Sequence, residues 1–301
     1  MSLRPLDHLP TPSWPVALQQ HPVFAAALAH LGVEHRCLGW SDRVNEGAVL
    51  VMQRRFGPIR LGVASRAHLT PQVASDLAHR FTGAFGALAI TPETHTHLAG
   101  ALPVATPAHV AEWDLTQSQA ARRAAVSGAF RTALRKAESG RLKTRTFAPS
   151  RDTLLTTLAR DAAQQRRKGF RALPAHLVLA IHAARPEALL VFQAHQKGEV
   201  LAEVLTILHA PAATYHLGWT SPRGRDAQAT NLLLWTAANM LADRGVERFD
   251  LGLVATDRSP GLARFKIATG ARVRPLGPTL FFGPLTGLLS RFAPRDAYAA
   301  A

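Results

Sequence analysis

Several side chains in the second half of the chain have types and settings that suit chemistry. Glu203 interrupts the apolar run Val200-Leu-Ala-Glu-Val-Leu-Thr-Ile-Leu208, and a carboxylate inside such a strand costs free energy unless it is paired or faces a cleft. It is either a general base or a residue of an exposed sheet edge. Asp250 falls near the end of the strand-like Arg248-Phe-Asp-Leu-Gly252, where sites collect in α/β sheets. It can accept a proton, pair with Arg264 or cap a turn. Lys266 ends Gly261-Leu-Ala-Arg-Phe-Lys266 and offers a cation, a phosphate clamp or a plain surface lysine. Tyr215 and His216 should point to opposite faces of one strand, so at most one addresses a given cleft. Tyr215 can donate to a leaving group. His216, Trp219 and Phe265 can wall a pocket or belong to the core.

The elements that must position these groups are legible around them. Residues 213–220 alternate as a strand, and Pro222-Arg-Gly224 ends it. Asp226 is placed to cap a helix whose apolar face is Leu232, Leu233, Trp235, Ala238, Met240 and Leu241, closed by Arg244-Gly245. Phe249–Gly252 follows as the next strand, completing a βαβ unit. Its turn, Arg223, Arg225, Asp226, Ala227 and Gln228 with Asn231 behind them, can hold an anion at the free N–H groups of the helix start.

Tyr215-His-Leu-Gly-Trp219, the Leu-Leu-Leu-Trp helix, Phe249–Gly252 and Gly261–Lys266 resemble, in order and spacing, the FemAB-like branch of the GNAT acyltransferase superfamily. Glu112-Trp-Asp-Leu115 and Arg131-Thr-Ala-Leu-Arg-Lys-Ala-Glu138 resemble that family's middle segment. The resemblance implies an α/β fold of two tandem GNAT-like domains, each a mixed, mostly antiparallel sheet flanked by helices. It also implies transfer of an acyl or aminoacyl group to an amine, with Lys266 facing the transferred carbonyl and stabilising the oxyanion. Asp250 would then orient the amine or take its proton, with Trp219, His216 and Phe265 around the acceptor. One departure stands out. Arg223-Gly-Arg-Asp-Ala-Gln228 does not fit the usual pyrophosphate-loop spacing, so the loop does not secure an acyl-CoA donor.

At 301 residues, 47% of them hydrophobic, the chain suits one large or two ordinary domains. The boundaries expected are 1–115 for a degenerate first domain, 116–150 for a basic connection and 151–301 for the domain with the site. Helices are expected near 18–31 and 71–82, with strands near 33–40, 47–54, 58–64 and 87–90. In the second half, helices at 151–168 and 174–184 precede strands at 188–195, 199–209 and 213–220, and 271–282 closes that sheet. A tail helix near 285–292 would pack on the body or touch a membrane.

Net charge is +15, with 35 basic against 20 acidic residues. Residues 116–171 alone hold fourteen bases against three acids. Arg131, Arg135 and Lys136 lie in this belt, which is either a solvated helix face or a surface for a phosphate-bearing partner. CoA, tRNA, other nucleic acid and lipid head groups all qualify. Cys37 is the one cysteine, and the start of the chain lacks an apolar signal run, so a reducing, cytoplasmic setting is expected. No apolar stretch approaches a membrane span. His95-Thr-His97 lacks further ligands at metal-site spacing, and no nucleophile elbow, Walker loop or dinucleotide fingerprint occurs.

The resemblance implies an N-acyltransferase acting on a primary amine, with acyl-CoA the donor expected first and no metal. An aminoacyl-tRNA-dependent enzyme acting on a cell-envelope precursor is the near alternative. A non-catalytic adaptor that binds RNA or anionic lipid through the belt is the other class.

Overall fold

The computed structural model describes residues 3–41, 46–96, 98–168, 173–257, 259–284 and 286. The expected tail helix, His97 and Arg171 lie outside the described residues, except for Thr286 of the tail. In chain order come β1 (Arg4–Leu6), α1 (Pro22–His30), β2 (His35–Ser41), β3 (Glu46–Phe56), β4 (Ile59–Ala67), α2 (Pro71–Phe81), β5 (Gly86–Pro92) and β6 (Leu102–Ala105). Then follow β7 (His109–Asp114), α3 (Gln119–Ala125), α4 (Gly128–Glu138), β8 (Lys143–Phe147), α5 (Arg151–Lys168) and α6 (Ala175–Ala184). The chain continues as β9 (Leu189–Gln196), β10 (Glu199–His209), β11 (Ala212–Thr220), α7 (Pro222–Asp226), α8 (Ala229–Asp243), β12 (Arg248–Leu253) and α9 (Pro260–Ala268). It ends with β13 (Arg272–Pro275) and β14 (Thr279–Phe282).

Two mixed seven-stranded sheets result, in the orders β1-β2-β3-β4-β5-β14-β6 and β13-β7-β12-β11-β10-β9-β8. Contacts divide the chain into 1–12, 16–109 and 275–301 as one unit, and 13–15 with 110–274 as the other. The belt therefore belongs to the second unit rather than forming a separate connection at 116–150. Phe130 and Leu134 of α4 are fully buried in the core that also holds Trp113, Phe192, Leu233, Trp235 and Phe249. The end of the chain also departs from the expected boundary at 301. β13 lies at the edge of the second sheet, whereas β14 pairs with β5 and β6 in the first. Leu280 and Phe282 bury in the first core, and that apolar burial outweighs proximity along the chain.

Local chemistry explains the element starts. Ser118, Ser127, Ser150 and Ser221 accept N–H groups of the first turns of α3, α4, α5 and α7 at 3.0–3.3 Å. The helix expected over 18–31 is interrupted, because Pro22 cannot sit in a helix interior and instead opens α1. His21 Nδ1 accepts the Val23 N–H at 3.2 Å as its cap. Asp226 is not a cap. Ser221 and Pro222 start α7 one turn earlier, Asp226 ends it, and α8 begins after Gln228, which is left-handed at φ 56° and makes no side-chain cap bond.

Candidate active site

β11 and β12 run parallel and pair only over Ala212–Thr214 and Arg248–Asp250. Both strands continue beyond that ladder, β11 to Thr220 and β12 to Leu253. β11 keeps its antiparallel pairing with β10, and β12 keeps its pairing with β7. The facing edges past Thr214 and Asp250 are therefore parted. Both strands are also irregular there, with register shifts opposite Leu205/Thr206 and between Asp250 and Gly252. The first leaves His216 without a cross-strand partner, so strict alternation of Tyr215 and His216 does not hold. A bulge re-aims side chains in this way.

Lys266 stands at this parting. Its residue is 6% exposed, and Nζ donates to the Leu253 carbonyl at 2.8 Å. A Cβ on Gly252, whose φ is +79°, would lie 3.6 Å from Nζ. Burial pulls the ammonium down to about 8, and the neighbouring Asp250 carboxylate opposes that fall. Asp250 is itself buried and accepts the Gly252 N–H at 2.7 Å. The turn-capping reading of Asp250 is thus realised together with nearness to Lys266. Arg264 turns away, its Nε reaching the Pro260 carbonyl at 3.4 Å.

Tyr215 follows Thr214, the last β11 residue paired with β12, and packs against the second core. Its hydroxyl lies over Gly218, where a Cβ would approach it to 2.0 Å. Burial first, and Asp161 second, push the phenol above its usual range, so it stays a proton donor. Burial pushes His216 down to about 4, leaving a neutral ring. Phe265 is partly buried, packs on Phe130 at 6.2 Å between ring centroids and adjoins the core.

Glu203 is placed elsewhere. It pairs across the strands with Trp219, roughly 13 Å of strand beyond Tyr215 at about 3.3 Å per residue. It is 1% exposed. Oε1 accepts from Arg160 Nη1 at 2.8 Å and from Gln193 Nε2 at 2.6 Å. Arg160 also stacks over the Trp219 ring at 4.9 Å. Oε1 is therefore paired, which offsets part of the cost of placing the carboxylate in an apolar strand, while Oε2 is buried without a hydrogen-bond partner among the described residues. Glu203→Gln should keep turnover within about threefold. Its stability cost should be about 1 kcal/mol, because Arg160 is partly exposed and can rehydrate. A loss of turnover near a hundredfold in steady-state assays would return Glu203 to the chemistry.

At the far end of β11, Arg223 is paired with Glu199 and reaches Gln196 Oε1 at 3.4 Å. Arg225 is exposed and touches the Thr220 carbonyl at 3.4 Å. Asp226 is exposed, while Ala227, Gln228 and Asn231 are partly buried around the α8 start.

The family described as the acetyltransferase (GNAT) domain matches residues 122–266, a span that ends on Lys266. Residues 122–266 are a GNAT acyltransferase domain. No curated protein sequence matches the chain. Among solved structures, FemX superimposes with a TM-score of 0.75 at 14% identity, covering 93% of this chain and 95% of FemX. The C-terminal domain of a putative lysylphosphatidylglycerol synthetase from Agrobacterium fabrum gives 0.55 at 13% identity, covering 91% of each chain. A tandem GNAT protein from the clavulanic acid biosynthesis pathway gives 0.50 at 14%, covering 89% of each. The chain shares the fold of FemX and of the tandem GNAT protein, with two mixed sheets flanked by helices.

Within the GNAT domain the belt divides into internal and external charge. Arg122 is buried and donates to the carbonyls of Leu115 and Gln117 and to Asn239 Oδ1. Arg123 pairs with Glu138 and lies 5.5 Å from the Trp235 ring centroid. Arg131 donates to the Ala124 and Val126 carbonyls, closing the end of α3. Arg135 and Lys136 are exposed. Replacing only these last two with Gln should weaken binding of an anionic donor and lower its salt dependence by roughly two ions in slope. An unchanged dissociation constant over a salt series would reduce them to a solvated face.

Two contributors went unforeseen. β7, which carries Glu112, lies beside β12, and Glu112 is clamped by Arg274 at 2.7 and 2.8 Å and by Arg248 at 3.5 Å. The paired alternation of His109–Asp114 was the available signal. The Leu253 carbonyl that holds Lys266 had none, since a backbone atom leaves no residue-type trace.

Proposed function

We propose that this chain is an N-acyltransferase in which a primary amine attacks the carbonyl of an anionic acyl donor directly, within a ternary complex. The observation that carries this reading is the buried Lys266 ammonium where β11 and β12 part. The parted strand edges offer unladdered backbone groups to the donor arm, as an added strand would. The amine lone pair adds to the carbonyl carbon, and the oxyanion that forms is met by Lys266 Nζ. Asp250 takes or orients the amine proton. Collapse breaks the carbonyl bond to the leaving group, and Tyr215, still protonated, donates its proton to the departing thiolate or alkoxide.

Acyl-CoA is the first donor we propose, with its phosphates at Arg223, Arg225 and the α8 start from Asp226 to Asn231. Trp219 and His216 would border the amine acceptor. Aminoacyl-tRNA is the second reading, with a cell-envelope amine as acceptor. It is favoured by the pairing of Arg223 with Glu199, which puts a carboxylate beside one of the expected phosphate ligands. Release of thiol from a panel of acyl-CoAs and amines, run beside charged tRNA, distinguishes the donors. No product from either would remove the proposal.

A cationic role for Lys266 fixes the sign of the pH dependence. At saturating donor and amine, turnover should fall to about half its maximum near pH 8 and decline further above it as Nζ loses its proton at about 8. A limb that rises through the same range would make Lys266 a base.

A further inference from the structure

The first unit carries an exposed apolar tip beside a basic hollow, and neither serves the acyltransferase chemistry. Phe56 and Ile59 face each other across the β3–β4 hairpin, around Gly57-Pro58, and are 61% and 49% exposed. Phe85, 63% exposed, accepts the Arg60 N–H at 2.8 Å through its carbonyl. It therefore stands beside the same end of β4. The adjoining hollow has a volume of about 550 Å3 and is lined by Arg36, Arg60, Arg80, Gln53 and Thr82, with no carboxylate. Arg36 Nε donates to Gln53 Oε1 at 2.9 Å, and Arg80 Nη1 to the Leu3 carbonyl at 3.2 Å. Among the described residues no ion pair engages Arg36, Arg60 or Arg80. Arg54 and Arg55 extend the basic band along β3, with Arg55 in a loose, exposed pair with Glu34 at 3.6 Å.

We propose that this end of the first sheet docks on an anionic phospholipid surface, with a lipid phosphate in the Arg36–Arg60–Arg80 hollow and Phe56, Ile59 and Phe85 set into the interface. Guanidinium groups without carboxylate partners match phosphate oxygens. Large apolar side chains held in water at a hairpin tip gain by entering the boundary between head groups and acyl chains. RNA would use the arginines and stack on the phenyl rings, yet Pro58 and Ile59 offer a base nothing. The combination of apolar tip and basic rim is complementary to an anionic membrane.

The test is pelleting of the full chain with vesicles of phosphatidylcholine alone and of phosphatidylcholine containing roughly one third phosphatidylglycerol. The chain should pellet with the second and not the first. Arg60→Gln should weaken this by about fivefold, the usual effect of one interfacial arginine. Phe56→Ser with Phe85→Ser should weaken it by at least tenfold. Both phenylalanines are exposed, so thermal melts should match the parent. Arg151→Gln with Arg166→Gln, on the exposed face of α5, should change pelleting little. Equal binding by parent and tip variants would overturn the proposal, as would equal losses in the α5 control or no binding to the anionic vesicles. Loss of single-stranded RNA binding in the tip variants with vesicle binding intact would assign the face to RNA instead.

Discussion

Lys266→Met should lower turnover by roughly a hundredfold, the typical loss on removing one oxyanion donor, equivalent to about 3 kcal/mol in the transition state. The donor's ground-state carbonyl carries little charge, so donor affinity should change far less. Met keeps most of the apolar stem. The same variant should not melt below the parent. The folded-state value near 8 lies under the ordinary lysine value of 10.5. The unfolded chain therefore binds more protons than the folded one between those limits, and stability rises with pH through that window. Below pH 8 the folded protein carries the cost of a buried ammonium, about 3 kcal/mol at most. Removing the charge relieves that cost while ending the function. Strained sites of this sort trade stability for activity. A fall in donor affinity with turnover preserved would make Lys266 a phosphate clamp. Unchanged kinetics would take it out of the site.

Gly224→Ala should be the most damaging small substitution near the donor turn. Its Cβ would come 2.2 Å from the Leu201 carbonyl oxygen, 2.9 Å from the carbonyl carbon and 2.7 Å from Thr220 Oγ1. Two of these atoms are backbone and cannot swing aside. The Ser221 N–H bond to the Leu201 carbonyl, 2.9 Å long, sits in the same contact. Moving α7 away would cost about 3 kcal/mol by the overpacking scale. It would also displace Arg223, Arg225 and the α8 start, raising KM for the donor. Gly261→Ala is the control: nothing lies within 4 Å of its Cβ position, and it is exposed within α9. That change should be neutral or stabilising by up to about 1 kcal/mol. Urea melts of the two variants and the parent give the comparison. Similar midpoints for Gly224→Ala and the parent would show that α7 is free to move.

The alternating and amphipathic segments were legible because burial acts on residue type at fixed spacing. Arg151–Lys168 and Glu199–His209 fall at their expected limits, and β11, α8 and β12 form the expected parallel βαβ unit. The resemblance carried by Phe249–Gly252 and Gly261–Lys266 located the GNAT domain. Other features depended on neighbours distant in sequence. The partner of Glu203 is an arginine 43 residues away, and nothing in the run Val200–Leu208 names it. Arg223 reads as a phosphate ligand until the hairpin brings Glu199 beside it. β14 follows β13 closely in the chain but joins the other sheet, since the first core had room for Leu280 and Phe282. The sequence by itself determined the helix or strand character of segments such as Arg151–Lys168 and Glu199–His209, and which family the motifs resemble, because periodicity and motif order are local. Only the tertiary structure decided which charges are spent on each other and which remain for a ligand, because pairing depends on distances that sequence spacing does not hold.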